Sequence, residues 1–106
     1  MRRGEVWWAN IPEPWGRRPV LLLSRNDAYG ILTRILAAPI TTRIRRAPTF
    51  VSLTPDEDGV PVPSVISLDN LQAIPVEWLE TLIVLLRQEK MLAVDRAIHF
   101  ALGLRE

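Results

Sequence analysis

The sequence contains no cysteine among its 106 residues, and it has one histidine, one tyrosine and one lysine. The lack of cysteine excludes a disulfide framework, a thiolate metal site and a cysteine nucleophile. With a single histidine, His99, the chain has too few nitrogen and sulfur ligands for a zinc site, although carboxylates alone still suffice for magnesium. His99 belongs to no motif and we assign it no role. We therefore expect neither a metal nor a cofactor.

Long hydrophobic runs are also missing. No apolar stretch reaches the roughly 18 residues of a membrane span, because Arg25, Arg34 and Arg43 interrupt the apolar N-terminal half. The residues before Asn10 include no apolar stretch of signal-peptide length. We therefore expect a cytoplasmic protein with no membrane partner. The length favours a single domain spanning residues 1–106.

Positive charge is concentrated in the first half of the chain. Residues 1–46 hold nine basic against three acidic residues, a net charge of +6, whereas residues 47–106 hold four basic against nine acidic residues, a net charge of −5. Twelve of the 13 basic residues are arginine, whose planar guanidinium contacts phosphate in a forked geometry and stacks on bases. The asymmetry indicates a surface that attracts an anionic partner. Codon bias toward arginine explains the composition equally well.

The hydrophobic pattern predicts several short strands followed by one helix. Strands are expected at residues 4–11, 19–24, 31–38, 49–53, 65–68, 71–74 and 82–86. The segments 65–68 and 71–74 also fit one strand bent at residues 69–70, and Pro39 either ends the third strand or marks an edge. The acidic run 56–59 predicts a surface turn, and residues 75–79 fit a single helical turn.

Apolar residues recur at helical spacing over residues 88–102, and Gly103 follows as a stop. The fold class is therefore mainly β with α: a small, SH3-like antiparallel barrel with a C-terminal amphipathic helix. The apolar stripe of the helix is expected to face the core or a dimer surface.

Two polar clusters adjoin buried strands. Arg17 and Arg18 stand directly before the second strand, and Pro19 holds Arg18 in an extended backbone at the mouth of that strand. The second cluster, residues 40–46, follows the third strand and contains two threonines and three arginines. We expect the two clusters to meet and form one active site.

The order of short motifs along nearly the whole chain is similar to a known family. The motifs are Arg3-Gly4-Glu5-Val6-Trp7-Trp8, Arg18-Pro19-Val20-Leu21, Ser24 with Asn26-Asp27, Ala38-Pro39-Ile40-Thr41-Thr42, Pro48-Thr49, Ser64-Val65-Ile66, Asp69-Asn70 before Leu71-Gln72-Ala73-Ile74, Val94-Asp95-Arg96-Ala97-Ile98 and Ala101-Leu102-Gly103-Leu104. No single motif is specific, but their order and spacing together are. The sequence resembles the MazF/PemK (Kid) toxins of type II toxin–antitoxin systems.

This resemblance implies a homodimeric, metal-independent endoribonuclease that cuts single-stranded RNA at short sequences. It also implies an antitoxin whose disordered acidic tail occupies the RNA groove. The catalytic arginine of the family falls on Arg18 and its catalytic threonine on Thr41. The expected products carry a 2′,3′-cyclic phosphate and a 5′-OH end.

Elementary chemistry agrees with these two roles. RNA supplies its own nucleophile, the 2′-OH, so the protein has to position it, move protons and stabilise the charge that develops on phosphorus. Arg18 can donate charge-assisted hydrogen bonds to the non-bridging oxygens. A guanidinium does not release its proton near neutral pH, so we assign Arg18 charge stabilisation rather than proton transfer. Thr41 can donate its hydroxyl to the same phosphate.

Other side chains are candidates for contact with RNA. They are Trp15, Arg17, Ser24, Asn26, Thr42, Arg43, Arg45, Asn70 and Gln72. Arginine runs are also common in solvated loops, and polar residues are common at strand ends. Trp15 fits a stacking face for a base and fits packing on the barrel or the antitoxin equally well.

The loop before Arg18 departs from the family pattern. Many members have a longer, glycine-rich loop with a glutamate there, whereas Pro14-Trp15-Gly16-Arg17 leads directly to Arg18. Glu13 replaces the missing glutamate only if it approaches from another direction. Two alternatives remain: a non-catalytic gyrase poison of the CcdB type and a plain SH3-like binding module. The first relies on a C-terminal Trp-Gly-Ile, which this chain does not have.

Overall fold

The computed structural model describes residues 1–104. The seven strands and the C-terminal helix follow one another in the order predicted, and a short helix that was not predicted lies between the fourth and fifth strands. The strands are β1 Glu5–Ala9, β2 Arg18–Leu22, β3 Arg34–Thr41, β4 Phe50–Leu53, β5 Ser64–Ser67, β6 Gln72–Pro75 and β7 Leu79–Leu85, and the helices are α1 Pro55–Asp58 and α2 Gln88–Leu102. Short 3₁₀ turns lie at Asn26–Ala28, Leu68–Asn70 and Val76–Trp78. No helix among the described residues is long and apolar enough to span a membrane.

All strand pairs are antiparallel, and the sheet has the order β4-β5-β3-β2-β1-β7. The long strand β3 pairs with β2 on one edge and with both β5 and β6 on the other. Strands β5 and β6 therefore lie end to end, interrupted by the 3₁₀ turn Leu68–Asn70. The alternative of two short strands is therefore the one that the structure shows.

Strand β3 lies three residues later than the predicted segment 31–38. Residues 31–33 belong to a turn in which the amides of Ile31 and Leu32 donate to the Ala28 carbonyl. Pro39 does not end β3. It lies opposite the break between β6, which pairs through Ala37, and β5, which pairs from Ile40 onward. A proline is tolerated there because no partner strand requires its missing N–H.

Strand β2 is buried on both faces, as its uninterrupted apolar sequence predicts. Leu21 packs into one hydrophobic cluster with α2, whereas Val20 and Leu22 pack into a second cluster on the opposite face. The first cluster contains Val94 and Ala97 from the apolar stripe of α2, which places that stripe in the core. The buried strands carry the polar residues at their ends to fixed positions.

The sheet curls without hydrogen bonding between its end strands, β4 and β7, in the described chain. The segment after β4 approaches β7, because a Cβ added at Gly59 would be 3.2 Å from Val84 Cγ2. The SH3-like barrel is thus present in an incompletely closed form. Hydrophobic side chains of β4 and β7 belong to one cluster, and this packing replaces backbone hydrogen bonds between the two end strands.

The acidic run 56–59 is not entirely a surface turn. It forms the helical turn α1, and Asp58 is buried. Asp58 Oδ2 accepts a hydrogen bond from the Thr54 amide at 2.8 Å. Lys90 Nζ and Arg87 Nη2 lie 3.6 and 3.7 Å from its carboxylate. The Thr54 amide and these two cations are the polar partners that a buried carboxylate requires.

Candidate active site

Two clefts of about 280 Å³ each meet at the ends of β2 and β3. Arg18 and Thr41 line both of them and so stand at their boundary. The first cleft is completed by Trp8, Arg17, Pro19, Ile40, Thr42, Val60, Pro61, Val62 and Ser64. The second is completed by Trp15, Pro39, Arg43, Arg45, Phe50, Ser67 and Asn70. The two polar clusters predicted to meet therefore do meet, and this pair of clefts is the candidate site.

Arg18 begins β2, where it lies opposite Ala9 of β1. Its Nη2 and Nε atoms donate to the main-chain carbonyl of Trp15 at 2.6 and 3.1 Å. The guanidinium carbon also lies 5.6 Å from the centroid of the Trp15 ring, within the range of a cation–π contact. A guanidinium has five N–H donors, so this double contact orients the group and leaves three donors for a ligand.

Thr41 ends β3 and lies opposite Val65 of β5. Its Oγ1 accepts a hydrogen bond from the Arg43 amide at 3.1 Å. Because the hydroxyl acts as an acceptor in this turn, its own hydrogen is available for donation into either cleft. In the same turn, Thr42 lines the first cleft and Arg43 lines the second.

The lining of the two clefts carries charge of one sign. Four arginines line them, Arg17, Arg18, Arg43 and Arg45, and no lining residue is acidic or a histidine. Among residues 1–104, no ion pair engages Arg18, Arg43 or Arg45. Concave surfaces with one sign of charge concentrate the field, so the site attracts anions. It can bind phosphates and stabilise added negative charge.

Arg17 differs from the other three arginines because it has an acidic partner. Its guanidinium carbon lies 4.3 Å from the centroid of the Trp8 ring, and its Nε donates to Glu80 Oε1 at 2.8 Å. Residues from β1 and β7 thus hold it in place. The carboxylate nearest to the arginine pair comes from β7 and not from the preceding loop.

Glu13 does not replace the missing loop glutamate. It is exposed, and it lines neither cleft. Its carboxylate is directed toward Gly16, where an added Cβ would lie 3.4 Å from Oε2.

Most of the predicted RNA contacts lie in the two clefts. Trp15, Arg17, Thr42, Arg43, Arg45 and Asn70 all line one cleft or the other. Trp15 is 41% exposed, so its ring is accessible to a stacking partner. Asn70 Nδ2 donates to Ser67 Oγ at 2.8 Å, which directs the amide along the wall of the second cleft.

Three predicted contacts are elsewhere in the structure. Ser24 is buried, and its Oγ accepts from the Leu36 amide at 2.8 Å. Asn26 Oδ1 accepts from the Arg3 amide at 2.6 Å. Gln72 pairs with Ala37 inside the sheet and lines neither cleft. The side-chain oxygens of Ser24 and Asn26 thus accept from the main chain, and none of the three residues lines the site.

Several lining residues are absent from the sequence-based list. Trp8, Phe50, Ser64 and Ser67 belong to the clefts. Trp8 carried a signal, because one of two adjacent tryptophans in a strand must face away from the other. The structure places Trp7 against the second hydrophobic cluster and Trp8 at the cleft. Phe50 and the two serines carried no signal beyond their positions in strands.

Comparison with known proteins identifies the family. The family model described as "PemK-like, MazF-like toxin of type II toxin-antitoxin system" matches residues 2–102. The chain belongs to this family. A probable endoribonuclease, MazF5 of Mycobacterium tuberculosis, is 40% identical over 99 residues, which cover 93% of this chain and 90% of that protein. The endoribonuclease MazF of Staphylococcus saprophyticus is 31% identical over 98% of this chain and 92% of its own length.

Solved structures agree in fold. The Mycobacterium tuberculosis toxin MazF-mt6 has a TM-score of 0.86 and 35% identity, covering 96% of this chain and 99% of that chain. A mycobacterial endoribonuclease in complex with its cognate antitoxin also has a TM-score of 0.86, at 24% identity, with 100% of this chain and 98% of that chain covered. The predicted family, the barrel-type fold and the class of enzyme, an endoribonuclease, are confirmed. The toxin family also favours a ribonuclease over a gyrase poison or a plain binding module.

Proposed function

We propose that this toxin cleaves single-stranded RNA at short sequences without a metal ion, by attack of the 2′-OH on the adjacent phosphate. The observation that carries the proposal is the position of Arg18 and Thr41 between two clefts lined by arginines and free of acidic residues. A chain of phosphates crossing from one cleft to the other passes these two side chains. The products are a 2′,3′-cyclic phosphate and a 5′-OH end.

Arg18 and Thr41 act on the scissile phosphate. Arg18, held by the Trp15 carbonyl, directs its remaining N–H groups to the non-bridging oxygens and stabilises the negative charge of the phosphorane. Thr41 donates its free hydroxyl hydrogen to the same phosphate. Positive charge close to phosphorus thus comes from the protein, and this supports metal independence.

Arg43 and Arg45 bind flanking phosphates in the second cleft, and Trp15 offers a face for a base. Stacking of this kind contributes about 1–3 kcal/mol per base. Arg17 and Thr42 bind flanking phosphates in the first cleft. Asn70 is the side chain best placed to hydrogen-bond a base edge in the second cleft, beside Trp15.

The same clefts fit an acidic peptide, because carboxylates and phosphates both bind arginine in a forked geometry. A structural neighbour forms a complex with its cognate antitoxin. We extend that partnership to this chain, with an acidic segment of the antitoxin covering the clefts. We also retain homodimer formation and a cytoplasmic location as parts of the proposal.

The test is cleavage of end-labelled single-stranded RNA in the presence of excess chelator. We expect fragments with cyclic phosphate ends, and no cleavage of the same strand with deoxyribose throughout, because the nucleophile is then missing. Arg18→Ala should lower kcat by roughly 10²–10³, the usual effect of removing one transition-state donor. Arg34→Ala is the matched control, since Arg34 is exposed and lines neither cleft. Arg18→Ala with unchanged kcat, or cleavage of the deoxyribose strand, would contradict the mechanism.

A further inference from the structure

Two adjacent arginines each lie against a tryptophan ring, and the two rings line different clefts. The guanidinium carbon of Arg18 is 5.6 Å from the ring centroid of Trp15, which lines the second cleft. The guanidinium carbon of Arg17 is 4.3 Å from the ring centroid of Trp8, which lines the first cleft. Both distances are within the limit of about 6 Å for a cation–π contact. Each cleft thus contains an arginine–tryptophan pair.

The plane of the Arg17 guanidinium is fixed by contacts on one face and one edge. The group lies over the Trp8 ring, and its Nε donates to Glu80 Oε1 at 2.8 Å. A guanidinium has five N–H donors, so those on the Nη atoms remain for other partners. The side chain is 51% exposed and lines the first cleft. The face of the guanidinium opposite Trp8 is therefore accessible to a ligand in that cleft.

The walls of the first cleft favour a nucleobase in addition to a phosphate. Much of the lining is apolar, namely Pro19, Ile40, Val60, Pro61 and Val62. Trp8 is the only aromatic residue in this lining among residues 1–104, and Arg17 lies over its ring. Apolar walls do not compensate a phosphate for lost water, whereas a base has apolar faces. Unpaired RNA bases stack on arginine planes as well as on aromatic rings.

We propose that Arg17, backed by Trp8, is a stacking platform for one RNA base beside the cleaved bond. The inference rests on the proposed ribonuclease function and extends its substrate contacts. The open face of the guanidinium meets the base, and the Nη atoms remain available in its plane for a flanking phosphate. With a second base on Trp15, the two nucleotides beside the scissile phosphate occupy different clefts. Bases can be separated in this way in a single strand, which accounts for a single-stranded substrate.

The test is a mutant cycle between protein and RNA. The bond that the parent cleaves is mapped first, and a 2′-O-methyl group at that position then prevents cleavage. Fluorescence anisotropy gives the Kd for this intact strand and for two abasic strands. Each abasic strand lacks one of the two bases beside the cleaved bond but keeps the sugar and phosphate. For the parent, loss of the base that stacks on Arg17 should raise the Kd roughly fivefold or more.

Arg17→Lys keeps the positive charge and removes the planar group. It should weaken binding of the intact strand roughly fivefold or more, and it should bind one of the two abasic strands as tightly as the parent does. The two losses coincide because the same contact is removed from either side. The slope of log K against log salt should not change, whereas loss of one phosphate contact would reduce it by about 0.7.

Arg45→Lys is the matched control. Arg45 is exposed and lines the second cleft, and no aromatic ring among residues 1–104 lies against it. The same change of guanidinium to ammonium should therefore weaken all three strands by one factor.

Variants of Trp8 test the backing of the platform. Trp8→Leu removes the ring beneath Arg17 and should abolish the coupling between Arg17 and the base. Trp8→Phe keeps an aromatic ring and should retain part of that coupling. Both are compared below their own Tm, so that loss of folding does not enter the Kd.

Two results separate this inference from the function on which it rests. If the parent cleaves RNA and Arg17→Lys changes the Kd of all three strands by one factor, the stacking platform is wrong and the function stands. If the parent cleaves no RNA, the proposed function fails and the inference fails with it.

Discussion

The guanidinium of Arg18 is fastened to its own loop, because two of its N–H groups donate to the carbonyl oxygen of Trp15 at 2.6 and 3.1 Å. A long arginine side chain is otherwise free to adopt many rotamers, and ordering it when substrate binds costs free energy. The contact orders it in advance. The short loop before Arg18 thus supplies an acceptor from the main chain.

Gly16 should be necessary for this arrangement. It has a φ of +74°, and a Cβ there would lie 3.4 Å from Glu13 Oε2, so Gly16→Ala strains the turn that presents the Trp15 carbonyl. We expect kcat for RNA cleavage to fall about tenfold, since misplacement by about 1 Å has large effects on rate, while the Kd for RNA changes little. Gly30→Ala is the control, because Gly30 has a φ of +89° with nothing within 4 Å of its added Cβ. If Gly16→Ala and Gly30→Ala had equal kcat values, the loop would have no part in orienting Arg18 for catalysis.

The ion pair between Arg17 and Glu80 should tune RNA binding and contribute little to stability. The side chains are 51% and 37% exposed, and such pairs contribute about 0–1 kcal/mol. Glu80→Gln removes the negative charge beside the first cleft, so we expect tighter RNA binding at low salt with an almost unchanged Tm. Glu77→Gln, at another exposed acidic residue, should have the smaller effect on affinity. Weaker RNA binding by Glu80→Gln would show that orientation of Arg17 outweighs its charge.

Asp58 should matter for stability and not for catalysis. Its carboxylate is buried, accepts from the Thr54 amide and lies near Arg87 and Lys90. Asp58→Ala leaves that amide without its partner, so we expect a loss of about 1–3 kcal/mol in the free energy of unfolding, measured with urea. The neighbouring, exposed Asp56→Ala should change it by less than about 0.5 kcal/mol. Cleavage per folded molecule should be the same in both variants.

Substitution of Ser24 tests whether this residue has a structural role or contacts RNA. Because its Oγ accepts from the Leu36 amide at 2.8 Å, Ser24→Ala should lower stability by about 1 kcal/mol. Its cleavage sequence and KM should equal those of the parent. A changed sequence preference, with stability retained, would instead restore Ser24 to the group of residues that read bases.

Tyr29 provides an optical probe of folding at high pH. Burial raises the pKa of Tyr29 to about 12 from 10.0, and its hydroxyl donates to the Ser24 carbonyl at 3.1 Å, a hydrogen bond that only the protonated phenol can make. The unfolded chain therefore releases this proton first, and the contribution of Tyr29 to stability, complete below pH 10, is lost as pH rises toward 12. Absorbance at the tyrosinate band should show a midpoint near 12 in the folded protein and near 10 in denaturant. A folded midpoint near 10 would contradict the burial of this phenol.

Elements and motifs were predictable wherever the information is local. Four successive apolar residues after Pro19 predict a strand buried on both faces, and the helical spacing over residues 88–102 predicts α2 with its bounds. The predicted bounds of an element were wrong where they depend on pairing with a strand that is distant in sequence. Pro39 remains inside β3 only because β5 and β6 separate opposite it.

The sequence by itself determined the family and the order of the strands and the C-terminal helix, and it predicted the pair Arg18 and Thr41, because motifs and periodicity are properties of neighbouring residues. Tertiary structure decided which polar strand ends share a cleft. Ser24 and Ser67 both end or follow strands, yet one faces the main chain of β3 and the other the second cleft. Arg17 donates to Glu80, which is separated from it by 63 positions in the sequence. Side chains alternate along a strand, so register and curvature of the whole sheet choose the side on which each one lies.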